Sequence, residues 1–169
     1  MKGKVIYALY GLLFLGIAIW IYQEWASEER RLLRRLGELQ ELIEKDGGEN
    51  DLVAANKARQ LGELFTEDFT IHLTPIGETL TDRQRLMQVA LQYRRQHSRV
   101  GLGFSDRELT LGVQKRRGEL LTVASLTATR DGSPSRGRYR LRFEWQKQDG
   151  VWRIHTLEVL EQLEGSLFF

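Results

Sequence analysis

The sequence predicts an α+β chain: an apolar N-terminal helix, further helices, then a run of antiparallel strands forming a curved sheet with helices packed on one face. Three observations predict it. Tyr139 to Val159 reads as two long strands joined at Asp149-Gly150, a dipeptide that takes the φ > 0 conformations of a tight hairpin. On its first strand Tyr139, Leu141, Phe143 and Trp145 alternate with Arg140, Arg142, Glu144 and Gln146, so one face is core and the other meets water. At the opposite end, Val5 to Tyr22 is an uncharged run of 18 residues.

That run would span about 27 Å as a helix, close to the ~30 Å hydrocarbon core of a bilayer. Tyr7 and Tyr10 near one end, with Trp20, Tyr22 and Trp25 near the other, suit the two interfaces. A cleaved signal peptide is the competing reading. The run is longer than such a segment needs, and Glu24 stands where a small residue should precede Ala26-Ser27. Residues 1–23 are therefore expected to be an uncleaved single-pass anchor. Lys2 and Lys4 favour a cytoplasmic N-terminus with the domain outside the cytoplasm, whereas Arg30, Arg31, Arg34 and Arg35 pull the other way.

Residues 24–49 read as an amphipathic helical stalk and linker. Leu32, Leu36, Leu39 and Ile43 recur at spacings of four, three and four, widened by Leu33 and Leu42. The stripe packs back on its own domain or forms a short coiled coil that dimerises the protein. Asp46-Gly-Gly-Glu-Asn50 ends the helix, Gly47 or Gly48 supplying the left-handed residue and Asn50 or Asp51 the next cap. The domain is expected over 50–169.

Within it, Leu52–Phe65 is predicted helical, and Phe69–Thr74 a short strand stopped by Pro75 ahead of a turn at Ile76-Gly77. Thr81-Asp-Arg-Gln84 fits a capping box opening a helix to about His97. Strands are predicted at Gly101–Ser105, Glu108–Lys115, Leu120–Thr129, Tyr139–Lys147 and Val151–Leu160, with turns at Lys115–Gly118 and Asp131–Ser135.

Several residues then carry a resemblance. Leu61-Gly-Glu-Leu-Phe-Thr-Glu-Asp-Phe69, Gly77 ahead of Leu80-Thr-Asp-Arg83, and Trp152 and Ile154 after Asp149-Gly150 are similar to the nuclear transport factor 2-like superfamily with its SnoaL-like domains. The resemblance covers about Asp51 to Glu161 and implies a cone-shaped curved sheet with a pocket between helices and sheet. Enzymes of that fold place an Asp, His or Tyr in the pocket. Its lining would be Phe65, Phe69, Tyr93, Phe104, Phe143 and Trp145, which would equally fill a closed core; a closed core is the expectation.

His72 and His155 lie on strands that are neighbours in the resembled fold, and with Asp68 they are the acid–base candidates. By strict alternation Glu158 points away from His155. His97, at a helix end, reads as a surface or capping residue. The same alternation puts Leu157 and Val159 opposite Trp152 and Ile154, which makes the last strand apolar on both faces and a candidate interface.

No cysteine is present, no histidine pair has metal-ligand spacing, and Gly101-Leu-Gly103 lacks the rest of a nucleotide loop. No metal and no cofactor are expected. With a net charge of +2 and neither half strongly basic, nucleic acid is not an expected partner. Arg136, Arg138, Arg140 and Arg142 form a ridge, read as a solvated face or a contact for an anionic partner. The functional expectation is a membrane-tethered, non-catalytic binding or scaffold module. Its partner would be a protein or a small apolar ligand, with homodimerisation through the stalk or sheet face. The alternative is a small SnoaL-like isomerase, cyclase or hydrolase.

Overall fold

A computed structural model describes residues 2–73 and 77–165, with the backbone alone at 2–12, 14, 18, 20 and 24–26 of the first helix. The elements are α1 (Lys2–Ile43), α2 (Asp51–Glu63), β1 (Phe65–Leu73), β2 (Glu78–Leu80), α3 (Arg83–Gln96), β3 (Arg99–Leu111), β4 (Arg117–Arg130), β5 (Ser133–Gln148) and β6 (Val151–Gly165). The chain divides into two compact units, Met1–Arg34 and Arg35–Phe169. The last turns of α1, read from sequence as stalk, thus belong to the second unit.

The first unit is helical from Lys2. Among the described residues no helix is long and apolar enough to cross a membrane. The run from Val5 to Tyr22, with its belt residues Tyr7, Tyr10 and Trp20, falls largely on side chains outside the described residues, as does Trp25.

In the second unit the strand order is β2-β1-β6-β5-β4-β3. Asp149 and Gly150 have φ of 51° and 78°, and Asp131 and Gly132 have 52° and 78°, as two-residue hairpins joining right-twisted strands require. Ser133 to Ser135, read as turn, already belong to β5. The sheet is mixed rather than wholly antiparallel, because β1 runs parallel to β6. The two segments read as separate strands at Gly101–Ser105 and Glu108–Lys115 are one strand. Its register jumps between Ser105 and Glu108, and Asp106 at φ 49° takes up the extra residue as a bulge.

The helices begin where short polar side chains meet free amides. Asn50 Oδ1 accepts from the Val53 amide at 2.9 Å, and Asp82 Oδ1 from the Arg85 amide at 2.7 Å. The predicted capping box is displaced by one residue: Asp82, extended at φ −100°, is the cap in place of Thr81. Gly62 is buried where α2 meets α3. A Cβ there would lie 3.1 Å from Arg83 Cγ and 3.3 Å from Met87 Cγ, so any side chain at this position would have to push those two neighbours back by a few tenths of an ångström.

One bulge reorganises β6. Ile154 pairs with Trp145 and Thr156 with Glu144, which leaves His155 as an extra residue. A single inserted residue reverses the alternation beyond it. Leu157 therefore pairs with Phe143 and Val159 with Leu141, on the same face as Ile154 opposite Trp145. This corrects the reading of β6 as apolar on both faces. Leu157 and Val159 face inward and offer no interface. Of the stalk stripe, Leu36 and Leu39 are buried within the second unit and Ile43 is half-buried there, which is the alternative in which the stripe packs on its own domain.

The ends of α1 and α3 cap each other. Arg94, on α3, donates from Nη1 to the carbonyls of Leu42 (2.7 Å) and Ile43 (2.9 Å), and from Nη2 to that of Glu44 (3.0 Å). Lys45 Nζ, just past α1, donates to the carbonyls of Arg94 (2.6 Å) and His97 (2.8 Å). Each cation meets the carbonyls that a helix C-terminus leaves without partners. Glu49 completes the group, accepting from Arg94 Nε at 2.9 Å and Nη2 at 2.6 Å, with Lys57 Nζ 3.5 Å away. His97 is thus a buried capping residue rather than a surface one, its Nδ1 lying 2.8 Å from the Tyr93 carbonyl oxygen.

Candidate functional site

Helices and sheet do not close on one another. Between them lies a cavity of about 550 Å³, within the range of small-molecule sites. Its walls come from the end of α1 (Leu39, Leu42, Ile43), α2, α3 and the inner faces of β1 and β3–β6. The exposed lining residues Glu78 and Val89 mark where it opens to solvent. The closed core expected from sequence is therefore not what forms.

The six predicted lining aromatics separate into two groups. Phe65, Tyr93, Phe104 and Phe143 line the cavity, Phe104 meeting Phe143 edge-on at 6.0 Å. Phe69 and Trp145 are buried behind it, Phe69 against Phe65 at 5.0 Å and Trp145 stacked on Phe143 at 6.0 Å. The packing of these rings braces the wall without filling the space. Sequence reasoning missed the aliphatic lining from α1 and the inward turn of Leu157 and Val159, the latter hidden by the bulge.

The polar lining is sparse: Glu78, Tyr93, Arg94 and Tyr139 are its titratable members among the described residues. Arg94 has all five of its N–H protons committed to Glu49 and the three carbonyls. Burial alone would raise the Glu49 carboxyl, but Arg94's hydrogen bonds and charge, with Lys57, outweigh it and hold that group below its ordinary value. Tyr93 differs. Its hydroxyl is buried without a hydrogen-bond partner among the described residues, a condition costing about 1–3 kcal/mol. Burial first, and Tyr139 second, push its phenol up, so it stays protonated.

The acid–base candidates do not reach this cavity. His72 is exposed on the β1 face opposite Ile71 and Leu73, its Nδ1 3.5 Å from Thr79 Oγ1. His155, on the bulge, lies 3.2 Å by Nδ1 from Thr66 Oγ1 and 3.6 Å from the exposed Asp68 carboxylate. Thr66's hydroxyl, followed by a backbone amide, holds the Asp68 carboxyl below its ordinary value. His155 instead borders a second depression of about 440 Å³, with Arg117, Glu119, Glu144 and Gln146. β1 and β6 are neighbours, as the resemblance implied, but His72 pairs in register with Glu158, beyond His155.

On the outer face three of the four ridge arginines are matched across to β6. Arg138 meets Glu164 at 2.9 Å, Arg140 meets Glu161 at 3.6 Å and Arg142 meets Glu158 at 3.4 Å. Such exposed pairs contribute little stability, but each sets a carboxylate beside one of those three charges. Among the described residues no cluster of ligating side chains could hold a metal ion.

Comparisons with known proteins agree with this architecture. The chain is similar in structure to a candidate scytalone dehydratase from Novosphingobium aromaticivorans (TM-score 0.66, 15% identity, 83% of this chain and 87% of that one). It is similar to a hexachlorocyclohexane dehydrochlorinase, LinA type 2 (0.65, 10%, 85% and 92%). It is also similar to a cystatin-like protein of unknown function from Nostoc punctiforme (0.58, 9%, 78% and 88%). At these identities the likeness is one of fold alone. Among curated proteins no match was found. The family model of the SnoaL-like domain matches residues 51–158, well over half the chain, and the chain belongs to that family.

Proposed function

We propose that this chain is a membrane-tethered, non-catalytic binding module that takes a small apolar molecule into the space between helices and sheet. One observation carries the reading. The cavity of about 550 Å³ is walled by hydrocarbon, and neither histidine nor aspartate is among its described lining residues. Acid–base catalysis needs a titratable group within reach of the reacting atom and a partner to tune it. Here the candidate pair points elsewhere.

The tether part of the proposal rests on the uncharged run from Val5 to Tyr22, within a helix continuous to Ile43. The bilayer would be its partner, with the domain outside the cytoplasm. Retention of the full chain in membranes through alkaline carbonate extraction supports the tether; release into the wash removes it.

A second reading has one contact in its favour. His155 and Asp68, 3.6 Å apart, would form an acid–base pair of a small SnoaL-like enzyme working in the outer depression. The two readings separate in one experiment. Full-length protein in lipid nanodiscs is titrated with N-phenyl-1-naphthylamine, an uncharged fluorescent apolar probe, with empty nanodiscs as partition control. The cavity reading expects saturable one-site binding that is lost in Ala124→Phe, which fills the space, and retained in His155→Ala. Binding that follows His155 instead would favour the outer depression.

A further inference from the structure

We propose that the cavity selects an uncharged ligand carrying a single hydrogen-bond-accepting oxygen, a ketone, ester or ether, and that the Tyr93 hydroxyl is the group that recognises it. This rests on the binding reading above and adds the chemistry of the polar end.

Elimination within the lining leaves one group to meet a ligand's polar atom. A ligand's polar atom must find a partner inside, because burying it without one forfeits its hydration. Arg94 lines the cavity but has no proton to spare, so it is no anchor for a carboxylate. Glu78 stands exposed at the opening, where its charge opposes an entering anion. Tyr139 lays the hydroxyl end of its ring over Gly137, 2.8 Å from where a Cβ there would stand, against the backbone of its own strand. Tyr93 is left: its hydroxyl is buried, lacks a partner among the described residues, and belongs to a residue that lines the space.

A neutral phenol in hydrocarbon is above all a donor, and it holds its proton because burial opposes ionisation. A carbonyl or ether oxygen uses that proton and brings no donor of its own. An alcohol would import a second hydroxyl proton, and the one carboxylate among the described lining residues, Glu78, stands away at the opening. A carboxylate would import a charge that Arg94, the cation among the described lining residues, is not free to balance. The remaining walls are aliphatic or aromatic, so the body of the ligand is apolar.

Three probes of one shape test this: 2-acetylnaphthalene, 2-ethylnaphthalene and 2-naphthoate. Each is titrated against the full chain in nanodiscs and corrected for lipid partition with empty discs. The ketone is expected to bind roughly five- to tenfold more tightly than the hydrocarbon, the increment of one net hydrogen bond. The naphthoate should be the weakest. Tyr93→Phe should erase the ketone's advantage, leave the hydrocarbon's affinity unchanged, and not lower the melting temperature of the ligand-free protein. A structural tyrosine would instead lower that temperature and weaken all three probes alike. Equal binding of ketone and hydrocarbon, a ratio unchanged in Tyr93→Phe, or tightest binding of the naphthoate would overturn the inference while leaving the cavity reading intact. Binding of none of the three would overturn both.

Discussion

Tyr93 and Arg94 are consecutive residues of α3 and line the same cavity, yet their polar atoms have opposite fates. Arg94 is almost wholly buried, and every N–H it carries is bonded. Tyr93 has one hydroxyl, buried and unpaired among the described residues. A buried charge without partners would unfold the site, so Arg94 persists only because Glu49 and three carbonyls surround it. A buried phenol is tolerable alone, since its cost is small against the stability of a domain. The difference separates a group that holds the wall from one that waits for something to enter.

The largest effect is expected at the Arg94–Glu49 latch. Arg94→Met should cost about 3–5 kcal/mol in urea unfolding, because it leaves the buried Glu49 side chain with Lys57 alone and uncaps α1 at the same time. A variant within 1 kcal/mol of wild type would mean that the latch is ornamental. Acid should release the same contact gradually. Glu49 binds its proton more weakly folded than unfolded, so its contribution is fully present above its ordinary value of 4.5 and is lost as pH falls through the lowered one. Glu49→Gln, already without the charge, should flatten that part of the stability–pH curve; an unchanged acid limb would contradict the assignment.

Lys45→Met removes two donors from the end of α3 at a partly exposed site, and a loss of about 1–2 kcal/mol is expected in the same assay. Tyr93→Phe stands at the far end of the series. With no partner to lose, it should leave stability unchanged or slightly raised, and a drop above 1 kcal/mol would show that the hydroxyl is engaged after all.

The legible part of the molecule was local. Asp149-Gly150 marked its hairpin because few residue pairs accept two successive positive φ angles. The alternation along Tyr139 to Trp145 named the inner face of β5, and helical spacing located α2 and α3. The misreadings came from events without a local signature. Nothing in Ile154-His-Thr156 announces an extra residue, because a bulge is imposed by pairing with the neighbouring strand; alternation carried through it sent Leu157 and Val159 the wrong way. Parallel pairing of β1 with β6 joins opposite ends of the domain.

The site was read in part. Aromatic residues pointed to the right wall, but whether rings fill a space or line it depends on volumes that composition does not specify. Glu49, Lys45 and Arg94 look like surface charges in sequence. They are buried or half-buried only because two helix ends meet at one place.

The central claim is that the space between helices and sheet is a ligand site. Leucine-methyl NMR of the full chain, titrated with 2-acetylnaphthalene, tests it most directly. Shifts should concentrate on leucines lining the cavity, Leu102, Leu126, Leu141 and Leu157 among them, and spare the exposed Leu52 of α2. Saturation with those shifts absent, or with Leu52 moving as far as Leu126, would contradict it.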